Sequence, residues 1–198
     1  KYVARTYYSW DFVEGYQGNP NDTGFAAKNP LEALDLIDKL TPETASLFVL
    51  KDYDNFLKDF SIEVRKNILE MAFVAGASSS HFGGALSIVE LVSLLFSHKM
   101  KINKDDPSCP ERDRFILSKG HACLAYYAAL CAVGYITKDK LKTFEKDDSD
   151  LLGHPVINRK LGIDFSNGSL GMGLSLGIGV AIALKKNKKK NNFFVILG

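Results

Sequence analysis

Apolar residues along this chain form short runs and helical stripes, separated by polar loops rich in Gly, Asn, Asp and Pro. The opening run "YVARTYYSWDF" is aromatic and β-branched enough to predict a strand, and "EGYQGNPNDTGFAAKNP" has the composition of a long loop. Asn29 as N-cap, Pro30 at the first helical position, and Leu31, Leu34 and Ile37 on one face predict a helix over "NPLEALDLIDKL". "ASLFVLKD" reads as a short buried strand, and "YDNFLKDFS" begins a turn or helix. In "SIEVRKNILEMAFVAGA", Val64, Ile68, Met71 and Ala75 recur at helical spacing, with a partial capping pattern at Ser61 and Val64.

A loop, "SSSHFGGALS", comes next, then a helix from about Ser87 through "IVELVSLLFSHKM". "RFILS" predicts a strand, "CLAYYAALCAVG" an alanine-rich helix closed by Gly134, and "TKDKLKTF" a helix capped by Thr137. "NGSLGMGLSLGIGVAIALKK" predicts a glycine-opened helix in which Gly177 and Gly179 serve close packing. The final "NNFFVILG" reads as a buried strand of a parallel sheet, whose carboxyl end is where α/β folds place ligands.

Composition changes this picture in two ways. At 198 residues, 46% hydrophobic and 24% charged, the chain is globular rather than disordered. No stretch approaches the roughly 20 apolar residues of a membrane span, and "KYVARTYYSW" lacks a signal-peptide layout, so a soluble cytoplasmic protein is expected. Charge then divides the chain near residue 60: residues 1–60 hold 6 Lys+Arg against 10 Asp+Glu, and residues 61–198 hold 19 against 13. A βαβ-like segment of about 60 residues is marginal alone. Cys109, Cys123 and Cys131 lack zinc-ligand spacing and read as reduced thiols, Cys123 and Cys131 as buried filler and Cys109 in a loop. The tract "KKNKKKNN" has no aromatic interleaving and reads as a solvated loop, so neither nucleic acid nor membrane is expected as a partner.

Candidate chemistry sits on histidines. His81 in "SHFGG", His121 in "KGHA" and His154 in "GHP" each lie beside glycine at an element boundary, where backbone can approach a ligand and imidazole can move protons. Their gaps of 40 and 33 residues offer no local metal spacing. His98 at a helix end reads as a cap that meets the dipole. "GSLGMG", Gly168 to Gly173, opens a helix with N–H groups suited to an anion, but it follows a loop and fails the dinucleotide fingerprint.

In order, "SSHFGGALS", "RDRFILSKGHACLAYYAAL", "GHP", "GSLGMGLSLGIGVAIA" and a strand ending in glycine make residues 61–198 resemble the amino-terminal, diphosphate-binding part of transketolases, especially the split type with a separate subunit. The resemblance implies an α/β thiamine-diphosphate-binding fold, a parallel sheet flanked by helices, truncated here and preceded by a small α/β segment. It implies that His81 faces substrate and takes part in proton transfer, that His121 lies at the diphosphate, and that His154 lies near the reactive carbon. Gly168, Leu170 and Gly171 correspond to backbone lining the cofactor, and Gly198 to the first glycine of Gly-Asp-Gly, whose aspartate binds Mg²⁺. Phe82, Ser80 and Met172 depart from the residues frequent at their positions. The implied activity is transfer of a two-carbon ketol unit between sugar phosphates, in carbohydrate metabolism of the pentose phosphate type. The implied partner is a C-terminal transketolase subunit or domain carrying the pyrimidine-binding part and its activating glutamate, in a dimeric assembly. Without that part and the metal ligands, the chain is expected to be inactive alone.

Residues 1–60 resemble the amino-terminal region of uncharacterised AAA-type ATPases of cyanobacteria and algal plastids, with no P-loop present. Two segments each cut where the next motif is due point to a chimeric or mis-assembled reading frame, which intact source DNA across residue 60 would refute. Two alternatives stand beside ketol transfer: another thiamine-diphosphate enzyme such as a deoxyxylulose-phosphate synthase, and a non-catalytic ATPase-associated interaction module.

Overall fold

The computed structural model describes residues 6–11, 15–17, 46–50, 58–76 and 81–198, and divides the chain into two compact units, Lys1–Lys58 and Asp59–Gly198. In the first unit, β1 (Thr6–Asp11), β2 (Gly15–Gln17) and β3 (Ser46–Leu50) form a sheet of order β2-β1-β3. β1 runs antiparallel to β2, with Trp10 opposite Tyr16, and parallel to β3, with Tyr8 opposite Phe48. The parallel pair matches strands expected over "YVARTYYSWDF" and "ASLFVLKD". The helix expected over residues 29–40 lies outside the described residues, as do residues 53–57 of "YDNFLKDFS".

The second unit opens with α1 (Lys58–Ala75). Its predicted apolar face is real: Val64, Ile68 and Met71 are fully buried, and Ala75 packs against the same core. The capping expectation at Ser61 is corrected, since the helix begins three residues earlier and Ser61 lies buried inside its first turns. The loop expected over "SSSHFGGALS" is corrected as well. Phe82–Leu86 is a short helix, α2, closed by Ala85 N–H to His81 O at 3.1 Å and Ser87 N–H to Gly83 O at 3.1 Å. Burial of Ala85 overrides the poor helix propensity of Gly83 and Gly84. α3 (Val89–Leu94) follows and widens at Leu95–Lys99 into a π-type turn that holds His98, with Met100 N–H reaching Leu95 O at 2.8 Å.

β4 (Arg114–Leu117) and β5 (Phe193–Ile196) pair in parallel, Arg114 opposite Phe193 through Leu117 opposite Ile196. β5 is less buried than its apolar run suggests: Ile196 is buried and the three residues before it are half-buried. Between the strands run α4 (Cys123–Ala132), α5 (Lys138–Leu141) and α6 (Met172–Lys186). α4 is apolar all round, and every residue from Cys123 to Cys131 is buried. Such a helix belongs at the centre of a core. Phe96 and Phe115 pack against its Tyr126 and each other, with ring centroids 4.9 to 6.0 Å apart. As expected, Gly134 ends its last turn in a left-handed conformation, φ 90°, and Thr137 Oγ1 caps α5 by accepting from Lys140 N–H at 3.2 Å. Cys123 and Cys131 are buried, Cys109 is half-buried, and all three are free thiols. Among the described residues, no helix is long and apolar enough to cross a membrane.

α6 shows that its glycines are not equivalent. A methyl at Gly177 would meet Val195 Cγ2 at 2.7 Å, and one at Gly173 would strike Ser118, with Oγ at 2.7 Å, so both positions let the helix sit close on the sheet. Gly179 has nothing within 4 Å, which corrects its expected packing role. Gly173→Ala is therefore expected to destabilise the unit by about 1–3 kcal/mol through overpacking. Gly179→Ala is expected to be neutral or to stabilise by up to about 1 kcal/mol through helix propensity. Urea unfolding of the two variants measures the contrast, and equal effects would refute this account of α6.

Candidate functional site

The carboxyl end of β4 runs straight into the first candidate residues. Ser118 continues the strand pairing by donating its N–H to Ile196 O at 2.8 Å, and Lys119 precedes a 3₁₀ turn, Gly120–Ala122, that presents His121. Glycine is required at 120 because a Cβ there would lie 2.7 Å from Asn167 O and 3.0 Å from His154 Cδ2. That close approach brings the His121 turn, the His154 loop and the segment before α6 together. His81 sits at the N-terminus of α2, and its ring meets that of His121 edge to face, with centroids 5.4 Å apart.

His81, His121 and His154 thus line one cavity of about 360 Å³, although 73 residues separate the first from the last. Cys123, Leu124, Phe144, Glu145, Leu152, Gly153 and Val156 complete its wall. Of the other candidates, Gly168 borders the site, since a Cβ on it would lie 3.7 Å from His154 Cδ2. Leu170, Gly171 and Gly198 are not part of the cavity wall. Leu170 is exposed, Gly171 is the left-handed N-cap of α6 with φ 84°, and Gly198 abuts the Lys119 side chain.

Electrostatics in the cavity favour neutral imidazole at His121. Burial lowers its pKa first, and the charges of His81, Lys119 and His154 lower it further. Lys119 Nζ is held back by donating to Ser87 Oγ at 3.2 Å. The opening of α6 is less available to an anion than "GSLGMG" suggests. The N–H groups of Met172, Gly173 and Leu174 already donate to Ser169 O at 3.4 Å, Ser118 Oγ at 3.2 Å and Gly171 O at 3.3 Å. The turn Gly168–Gly171 is the remaining stretch of backbone there.

α4 positions the His154 loop through three buried donors. Cys123 Sγ donates to Gly153 O at 3.1 Å, Tyr127 Oη to Leu152 O at 2.8 Å, and Tyr126 Oη to Gly162 O at 3.1 Å. Burial pushes the Cys123 thiol up to about 12 and raises both tyrosines, so all three keep the protons they donate. Nothing in the sequence pattern singled out these donors. Glu145 was also missed: its backbone is left-handed, φ 55°, and its carboxylate packs against Gly153 beside His154, a placement that "TFEKDD" does not signal.

Residues 61–194 match the family described as transketolase, thiamine diphosphate binding domain. The chain belongs to the transketolase family. Residues 1–81 match the N-terminal domain of SpoVK-like AAA ATPases, and the two matches overlap along α1. The 6-deoxy-6-sulfo-D-fructose transketolase subunit SqwG of Clostridium sp. (strain MSTE9) is 40% identical over 135 residues, 68% of this chain and 48% of that protein. The uncharacterised AAA domain-containing protein ycf46 of Trieres chinensis is 58% identical over 67 residues, 33% of this chain and 14% of that protein. The chain therefore spans less than half the length of either relative. Among solved structures, the transketolase of Campylobacter jejuni matches with a TM-score of 0.63 and 28% identity, over 73% of this chain and 23% of that one. The thiamine-diphosphate fold expected from the sequence is thus the fold observed, as a two-stranded parallel sheet with helices around it.

Two outcomes follow for this transketolase-family site. The His121 imidazole is expected to titrate below its ordinary value in NMR, and His81→Ala to raise that pKa by removing a like charge. An unchanged His121 titration in the variant would refute their coupling. Tyr127→Phe leaves Leu152 O without its buried donor and is expected to cost about 1–3 kcal/mol in urea unfolding, with broadened His154 resonances.

Proposed function

We propose that the Asp59–Gly198 unit supplies the histidine-lined side of a thiamine diphosphate site for transfer of a two-carbon ketol unit between sugar phosphates. The observation that carries this is the convergence of His81, His121 and His154, from three separate segments, on one cavity in a chain of this family. Imidazoles and the Gly168–Gly171 backbone suit the diphosphate end of the cofactor, and the buried Asn167 Oδ1, with no hydrogen-bond partner, is an acceptor left for a donor beside them. His121 and the Gly168–Gly171 turn would hold the diphosphate, with Leu170 against the cofactor. When bound, thiamine diphosphate supplies the nucleophilic carbon that takes up the ketol unit. His81 and His154 would accept and return protons at the hydroxyl and carbonyl oxygens of the sugar. Gly198 would lie beside a Mg²⁺ that neutralises the diphosphate. Among the described residues no group of three His, Cys, Asp or Glu is placed to hold a metal ion.

A partner subunit or domain with the pyrimidine-binding part belongs to this proposal, as does a dimeric assembly in the cytoplasm. Similarity to SqwG, named as a transketolase subunit, supports the partner. So does the face of α6, where Leu174, Ile178 and Ile182, four residues apart, are 49–63% exposed. Residues 1–60 are proposed to be a separate element outside the chemistry.

The test is titration of the 198-residue chain with thiamine diphosphate and Mg²⁺, followed by histidine NMR and calorimetry. Shifts confined to His81, His121 and His154 are expected, with affinity weakened about tenfold in His121→Ala by loss of a charged hydrogen bond. Absence of histidine shifts at millimolar cofactor would sink the proposal.

A further inference from the structure

The end of β4 opposite the histidines carries a second cavity, of about 350 Å³, that ketol transfer does not use. Its walls include three cations, Arg114, Arg159 and Lys189, and three apolar side chains, Phe165, Val180 and Leu184. Arg114 begins β4, while Lys119 and His121 follow its other end, so four strand residues, about 13 Å, separate the two sites. We propose that this cavity is a binding site for a small phosphate ester.

Charge accounting carries the argument. Asp164, the carboxylate on the cavity wall, is engaged through one oxygen: its Oδ1 accepts from Arg112 Nη2 at 2.8 Å and lies 3.5 Å from Arg114 Nε. Asp164 Oδ2 and Arg114 Nη1 are buried without hydrogen-bond partners. The Arg114 guanidinium also donates its Nη2 to Cys109 O, at 2.8 Å. Among the described residues, neither Arg159 nor Lys189 enters an ion pair. The cluster of Arg112, Arg114, Arg159 and Lys189 therefore faces one carboxylate. Desolvation lowers the pKa of Arg114; Asp164 opposes this, and the charges of Arg112 and Arg159 add to it. An anion in the cavity relieves that mutual repulsion.

The frame around the cations is built rather than loose. Ser108 Oγ donates to Arg159 O at 3.2 Å, tying the 108 loop to the turn that carries Arg159. Lys189 follows a left-handed Lys188, φ 51°, and its N–H returns to Leu184 O at 3.0 Å. Guanidinium and ammonium groups together match a phosphate dianion. The apolar wall suits a carbon skeleton attached to it, and the volume is about a dozen waters at roughly 30 Å³ each.

Calorimetric titration of the full 198-residue chain with inorganic phosphate and with phenyl phosphate tests the assignment, with circular dichroism confirming that each variant is folded. Saturable binding is expected, tighter for phenyl phosphate. Arg159→Gln with Lys189→Gln is expected to weaken it about tenfold or more. Lys160→Gln with Lys190→Gln removes the same charge from exposed residues outside the cavity and should leave the affinity unchanged, as should His121→Ala. No saturable binding at millimolar ligand overturns the proposal. So does equal loss in the two lysine-containing pairs, which would mean general electrostatics, or loss in His121→Ala alone, which would move the binding to the histidine cavity.

Discussion

Three hydrogen bonds from one buried helix govern the geometry of this unit. α4 enters the core with Cys123, Tyr126 and Tyr127 aimed at the main chain of the 152–162 loop, and each donor finds a carbonyl at 2.8 to 3.1 Å. Their protons are secure, because a charged thiolate or phenolate in that surrounding would lack hydration. The loop carrying His154 is thereby fixed to the same helix whose preceding turn presents His121. Two candidate side chains distant in sequence share one rigid support.

β4 transmits that arrangement in both directions. Asp113, buried just before it, accepts from Lys101 N–H at 2.8 Å and Asn192 N–H at 2.6 Å, stapling the starts of both strands to the preceding loop. Arg112 reaches the other way, pairing with Asp164 and lying 5.9 Å from the Tyr135 ring centroid. A buried pair of this kind is weak evidence of net stabilisation, because desolvation of both ions offsets their attraction. Its structural effect is firmer: it anchors the segment that leads through Asn167 to Gly168. At the far end, Ser118 accepts from Gly173 N–H and sets α6 against the strand. Sequence order runs from charged through apolar to polar residues along "RDRFILSKGH", and each block serves a different neighbour.

Much of this was legible before folding. The 3.6-residue spacing of Val64, Ile68 and Met71, the left-handed stop at Gly134 and the Thr137 cap are local signals that tertiary context did not contradict. The glycine-flanked histidines pointed to one site because a glycine beside a functional residue often marks close backbone approach, and Gly120 is such a case. Local signals failed where packing decides. α2 forms across two glycines because Ala85 is buried, and β5 is half-buried because burial depends on neighbouring layers, not on its own apolar run. The tyrosine and thiol donors were invisible because an alanine-rich apolar helix gives no hint of which polar atoms meet a loop.

Glu145 places one unfavourable backbone conformation on the wall of the cavity. A left-handed backbone at a residue with a side chain costs about 1–3 kcal/mol, and Glu145 adopts it while its N–H donates to Leu151 O at 3.0 Å. A Cβ at Gly153 would lie 2.8 Å from Glu145 Oε1, so a larger residue beside His154 would displace that carboxylate. The same carboxylate raises the pKa of Cys123, reinforcing the protonated state that ties α4 to the loop. Strain at one residue therefore supports three things at once: the shape of the cavity, the glycine next to its histidine, and the proton on the donor beneath it.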